Sequence, residues 1–256
     1  MEKSPFLDFA LFQTDVHHKE TEANLALYEE RFSMYSEKVD VVVFPELFNT
    51  GYANAFIAKP EPMGGYTTRW LLQMARRHQT AFGGTAAIAE NGKVFNRFLF
   101  AHPDGRLEYY DKRRIFAYSG EDKIFSPGTA SQVFTVKGWR IRPVVCFDLR
   151  FPEVCRNNGE PWYDVLLVSA HWPDLRILAW DHLIPARAIE NQCFVATCNR
   201  IGYEGDVYYP GHSCAWDFLG LRQVAAADRE EILHYRCTWE YLQTLREQFP
   251  VLPAAR

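Results

Sequence analysis

The spacing of apolar positions along the chain switches between a short period and a longer one, and the switches mark the elements. Phe6 to Gln13 (FLDFALFQ) reads as a first strand. From about His18 to Lys38 the period lengthens. Leu25, Tyr28, Phe32 and Tyr35 recur at three- and four-residue steps, which predicts a helix with one apolar face. Val39 to Phe44 (VDVVVF) is the apolar run expected of a strand covered on both faces, and it stops at Pro45-Glu46. A loop rich in Asn, Gly, Pro and aromatics follows, to about Gly65. The pattern then predicts a helix over 67–78 and a strand over 81–89. Asn91-Gly92 is a hairpin signal between that strand and another over 94–101. Pro103-Asp104-Gly105 turns into a strand over 107–110, which runs directly into Asp111-Lys112-Arg113-Arg114.

Lys137-Gly138 joins strands over 132–136 and 139–146 as a second hairpin. After a turn at Cys146 come a short helix over 152–157 and a buried strand over 164–169, which ends at His171-Trp172-Pro173. A helix over 175–191, a strand over 193–198, strands within 211–217 and 231–236, and a helix over 239–248 complete the order. Crossovers of the β-α-β kind are mixed with hairpins, which predicts a mixed α/β architecture. The strands are too many for one open sheet, so two packed sheets with helices on the outer sides are expected. No Pro/Gly/Ser-rich linker or compositional shift divides the 256 residues, and one domain is expected.

Composition narrows the class. Hydrophobic residues make up 48% and charged residues 23%, an ordinary globular balance, and the net charge of -4 argues against nucleic acid or an anionic membrane as partner. No apolar run approaches the roughly 18 residues of a membrane span. Met1-Glu2-Lys3-Ser4-Pro5 lacks a secretory apolar stretch. The expectation is therefore a soluble, cytoplasmic protein. Cys146, Cys155, Cys193, Cys198, Cys214 and Cys237 are then expected as free thiols, most of them small core residues. None has CxxC spacing, and no Cys/His cluster resembles a zinc site. Gly83-Gly84-Thr85 reads as a close backbone approach within a strand, not as a phosphate loop.

Three strand ends carry candidate chemistry: Glu46, Lys112 and Cys146. In α/β sheets, ligands collect outside the carboxyl ends of strands. A thiol becomes a strong nucleophile when a carboxylate takes its proton, and a fixed ammonium stabilises the oxyanion that follows. The backbone N–H of Phe147 is a candidate second oxyanion donor. Such chemistry needs no metal or other cofactor. Each residue also has a structural reading: Glu46 as an exposed strand end, Lys112 as part of a solvated basic turn, Cys146 as core. Other functional readings stay open here. One is a Cys-His hydrolase using His171, His182 or His212, and another is a metal phosphodiesterase, although no Asp/His set for two metals is evident. A third is a binding module without catalysis.

The segments Phe44-Pro45-Glu46-Leu47-Phe48-Asn49-Thr50-Gly51-Tyr52, Asp111-Lys112-Arg113 and Cys146-Phe147-Asp148-Leu149-Arg150-Phe151-Pro152-Glu153 together resemble the nitrilase superfamily of carbon–nitrogen hydrolases. The resemblance continues through Trp172-Pro173, Ala186 to Gln192 and Gly211-His212-Ser213. It implies a four-layer αββα sandwich and a Glu-Lys-Cys triad at Glu46, Lys112 and Cys146. It also implies a second active-site glutamate, for which Glu121 is the candidate, and dimerisation across helices near the site. Within the superfamily the chain looks like ω-amidases, which hydrolyse the terminal amide of 2-oxoglutaramate or 2-oxosuccinamate. Nitriles and N-carbamoyl amino acids are the alternative substrates. Tyr52 and Trp172 are expected to line the pocket, and Arg150 and Glu153 to brace the cysteine turn as an ion pair. His171 departs from the Asn usual before Trp-Pro in these relatives, which bears on substrate choice.

Overall fold

The computed structural model describes residues 3–52, 60–159 and 161–254. The first half contains β1 (Phe6–Gln13), α1 (Thr21–Ser33), β2 (Val41–Val43), β3 (Glu61–Pro62), α2 (Tyr66–His78), β4 (Ala81–Glu90), β5 (Lys93–Ala101) and β6 (Leu107–Asp111). The second contains β7 (Phe134–Val136), β8 (Trp139–Val145), α3 (Pro152–Cys155), β9 (Val165–Ala170), α4 (Ile177–Asn191) and β10 (Phe194–Asn199). There follow β11 (Ile201–Glu204), β12 (Val207–Pro210), β13 (Cys214–Trp216), β14 (Arg222–Ala225), β15 (Glu231–Thr238), α5 (Trp239–Gln248) and α6 (Val251–Ala254).

Two sheets result. One has strand order β15-β1-β2-β4-β5-β6, with β3 beside part of β4; the other is β14-β13-β10-β9-β8-β7. Each is built on three parallel strands, β1, β2 and β4 in the first and β8, β9 and β10 in the second. Antiparallel strands extend both sides. The period-two rule explains how the sheets stack. Val41 and Val43 face the second sheet and pack with Ile141, Val165, Leu167 and Phe194. Val42 faces the other way, into the layer with Leu25, Tyr28, Leu71 and Met74 of α1 and α2. Leu166 and Val168 likewise face Trp180 and Ile184 of α4. The result is the αββα sandwich that the resemblance implies. Burial of such side chains stabilises by roughly 1.5–3 kcal/mol each. No helix among the described residues is long and apolar enough to cross a membrane.

The expected elements form with shifted ends. The first helix stops at Ser33, and Tyr35 lies beyond it, stacked on Phe32 at 6.1 Å. Four strands were not anticipated: β3, β14, and β11 and β12, which pair as a hairpin. Gly83 and Gly84 do mark a close approach. A Cβ at Gly84 would lie 2.7 Å from Phe48 Cδ1, so only glycine lets the segment after Glu46 settle on β4.

The parallel geometry sets where the strands deliver their ends. Because β6 is antiparallel to β5, and β5 to β4, β6 runs in the direction of β4. Lys112 thus emerges at the same edge as Glu46. Hydrogen bonds across the two sheets fasten this edge to the ends of β8 and β9. The Ser169 hydroxyl donates to the Phe44 carbonyl at 2.9 Å, and the Glu46 N–H to the Ala170 carbonyl at 3.4 Å.

Candidate active site

Glu46, Lys112, Glu121 and Cys146 meet at that edge. Glu46, Lys112 and Glu121 are each at most 2% exposed. The Lys112 ammonium donates to Glu46 Oε1 at 2.9 Å and to both Glu121 oxygens at 2.7 and 3.0 Å. The remaining acceptors are also met. The Asn96 amide donates to Glu46 Oε1 at 2.7 Å and Glu121 Oε1 at 3.3 Å. The His171 N–H donates to Glu46 Oε2 at 3.0 Å, and the Phe116 N–H to Glu121 Oε2 at 2.5 Å. A buried charge is tolerable when it is paired and hydrogen-bonded in this way.

The electrostatics define the resting state. Burial opposes the charge on Lys112, but Glu121 and Glu46 together outweigh it and hold the pKa well above the usual lysine value. Cys146 is pushed well above the usual thiol range, first by burial and then by the charge of Glu46, with Lys112 acting the other way. The sulfur therefore rests as a thiol. It donates to the His171 carbonyl at 3.5 Å and also faces the Glu46 carboxylate.

The turn after β8 aims that thiol. Cys146 has φ 44°, a left-handed conformation uncommon for a non-glycine residue, at the start of a tight turn over Cys146–Arg150. Asp148 holds the turn. Its carboxylate accepts from the Val145 N–H at 3.0 Å, the Arg114 N–H at 2.8 Å and the Tyr110 hydroxyl at 2.8 Å. From α4, Arg187 donates to the Leu149 carbonyl through Nε at 3.1 Å and Nη2 at 2.9 Å.

A cavity of about 410 Å³ opens over the thiol. Tyr52, Phe147, His171 and Trp172 line it, as do Arg150 and Arg176. The Tyr52 hydroxyl is 2.8 Å from Ser119 Oγ. The expected bracing pair does not form. Glu153 bonds Arg114 at 2.6 Å on the surface, while the Arg150 guanidinium lies 4.8 Å over the Trp172 ring and faces the cavity. The turn carries Arg150 to the cavity wall, and Asp148 holds the turn through Val145, Arg114 and Tyr110. Arg176 stacks 5.0 Å over Phe116. Among the described residues neither guanidinium has a carboxylate partner.

Of the three histidines considered, only His171 lines the cavity, and its main-chain carbonyl, not its ring, meets the thiol. His212 pairs with Asp181 at 3.1 Å, and His182 is exposed. Among the described residues no cluster of three or more His, Cys, Asp or Glu is arranged to hold a metal. Sequence reasoning named Arg150, Arg176 and Lys112 as unranked candidates for a substrate carboxylate, and all three line the cavity; it missed Asn96 and Tyr209 on β12. Asn96 had a signal, as a small amide inside the apolar strand Phe95-Asn96-Arg97-Phe98. Tyr209 follows from the hairpin turn at Gly205-Asp206.

The carbon-nitrogen hydrolase family model matches residues 10–247. Omega-amidase YafV of Yersinia enterocolitica is 38% identical over 248 residues, covering 95% of this chain and 94% of that one. The 2-oxoglutaramate amidase of Bacillus subtilis is 33% identical over 248 residues, covering 95% of each. Among solved structures, a CN-hydrolase superfamily protein of Xanthomonas campestris with an arsenic adduct in its active site superposes with a TM-score of 0.93. It is 37% identical, and 97% of each chain is covered.

Proposed function

Because the chain belongs to the carbon–nitrogen hydrolase family, a family of enzymes that includes amide hydrolases, we propose that it removes the terminal amide of a small ω-amido 2-oxo acid of the 2-oxoglutaramate kind. The observation that carries the reading is a buried ammonium clasped by two carboxylates beneath a thiol, in a cavity whose wall holds two guanidiniums that have no carboxylate partner among the described residues.

Each step uses groups of this chain. Cys146 attacks the amide carbonyl while its proton passes to Glu46. The tetrahedral oxyanion is held by the Lys112 ammonium and the Phe147 N–H. Glu46 returns the proton to the departing ammonia, leaving a thioester on Cys146. Glu46 then takes a proton from water as it attacks the thioester. Collapse releases the carboxylic acid and restores the thiol. Glu121 holds Lys112 through both of its carboxylate oxygens. Tyr52 and Trp172 shape the walls, and Arg150 with Arg176 takes the substrate's own carboxylate, as guanidiniums do well.

A second copy of the chain completes the proposal. Tyr118 and Leu175 at the cavity mouth are 87% and 88% exposed, and Leu178 nearby on α4 is 73% exposed. Packing against the same face of a partner would cover them and shelter the mouth.

The test is ammonia release from a panel of small ω-amides, nitriles and N-carbamoyl amino acids. Release is expected from 2-oxoglutaramate. Cys146→Ala is expected to keep its far-UV circular dichroism and lose turnover; normal turnover in that variant ends the proposal.

A further inference from the structure

His171 is only 5% exposed, and neither of its ring nitrogens has a hydrogen-bond partner among the described residues. Buried polar atoms are rarely left so, and those that are call for an explanation. His171 lines the cavity. It is held between Tyr52 and Tyr209, with ring centroids 6.0 and 5.6 Å away. Burial, with Arg200 and Lys112 adding to it, pushes the imidazole well below the usual histidine range. It is therefore neutral, with one N–H to give and one bare nitrogen.

Its place along the cavity is fixed at both ends. The main chain of His171 touches the reaction centre, since its N–H bonds Glu46 and its carbonyl meets the Cys146 thiol. The next residue, Trp172, carries the Arg150 guanidinium on its ring. The main chain of His171 thus joins the reaction centre to the residue that carries the cationic wall. Building on the proposed function, we infer that the His171 N–H donates a hydrogen bond to the oxygen on C2 of the substrate, between the reacting amide and the carboxylate. The charges of the wall agree. Among the described lining residues Arg150 and Arg176 have no carboxylate partner and no Asp or Glu shares the wall with them, so an ammonium on C2 faces two guanidiniums. His171 is on this account the residue that selects a 2-oxo acid.

The experiment compares kcat/KM for 2-oxoglutaramate with that for glutaramate, which has the same chain but no oxygen on C2. The wild-type protein is expected to favour 2-oxoglutaramate by more than about tenfold, the scale of one hydrogen bond in a dry site. His171→Phe keeps a ring but has no donor. It is expected to lower that preference by roughly ten- to hundredfold, mainly through KM. His171→Asn, which restores an N–H, is expected to recover part of it. A wild-type preference near one overturns the inference whether or not the variants fold, as does an unaltered preference in folded His171→Phe. If the wild-type protein releases ammonia from neither compound, the proposed function fails as well. Release from both with equal efficiency leaves that function standing and removes only the role of His171.

Discussion

At Lys112 a single ammonium serves two carboxylates, and the site's chemistry follows from how that charge is shared. Burial and then the charge of Glu46 hold the proton on Cys146 in the resting state, and Glu46 is the group proposed to take it during attack. These two effects separate in Glu46→Gln. The like charge beside the sulfur disappears while the Lys112 ammonium stays, so the Cys146 pKa falls. Alkylation of Cys146 by iodoacetamide should then proceed at lower pH than in the wild-type protein. Hydrolysis should nevertheless drop by about 10²–10⁴ for want of a general base. Unchanged alkylation with lost hydrolysis would mean that Glu46 does not set the thiol's proton affinity. The residue types at these positions were readable, because strand ends carrying Glu, Lys and Cys are chemically distinctive. The tasks of Arg150 and Glu153 were not, since the direction of a side chain leaving a five-residue turn depends on what packs against that turn.

Among the elements, the turn after β8 has the most exacting task. Asp148 accepts three hydrogen bonds there, yet burial is the larger influence and pushes its carboxyl up from 3.8 to about 6. The folded chain therefore keeps a proton that the unfolded chain releases. The stability from this group is fully present below about pH 4 and is lost as pH rises through about 6, a change of about 3 kcal/mol for a shift near two units. Thermal melts between pH 4 and 7 should show this fall, and Asp148→Asn should remove it; the same slope in both proteins would contradict it. The hairpin of β11 and β12 shows why one wall of the cavity was not foreseen. Its strands are four residues each, and their faces are partly exposed, so no strong apolar alternation announces them. Its register comes from pairing Tyr203 with Tyr208, and it places Val207 and Tyr209 at the cavity.

For the whole molecule, the sandwich places the carboxyl ends of β2, β6, β8 and β9 at one edge. The apolar rim around that edge is what the proposed second copy would cover. Sedimentation of the wild-type protein should give a dimer, and Leu178→Glu should shift it toward monomer by burying an unpaired charge at the contact. A monomeric wild-type protein would remove the assembly without touching the chemistry of the site.

The sequence by itself determined the elements and the reactive groups. Periodicity records which face of each segment must leave water, so Val41 to Val43 and Val165 to Val168 read as buried strands before any contact is known. The quoted motifs likewise carried the family resemblance and the Glu46, Lys112 and Cys146 positions, and the resemblance made Glu121 the candidate for a second glutamate. Only the tertiary structure decided which groups share a cavity and in what charge state. Burial, the direction of side chains leaving short turns, and the pairing of Glu153 with Arg114 and of Arg150 with Trp172 arise between segments distant in the chain. No local pattern encodes such contacts, because their energies depend on what the rest of the fold brings alongside.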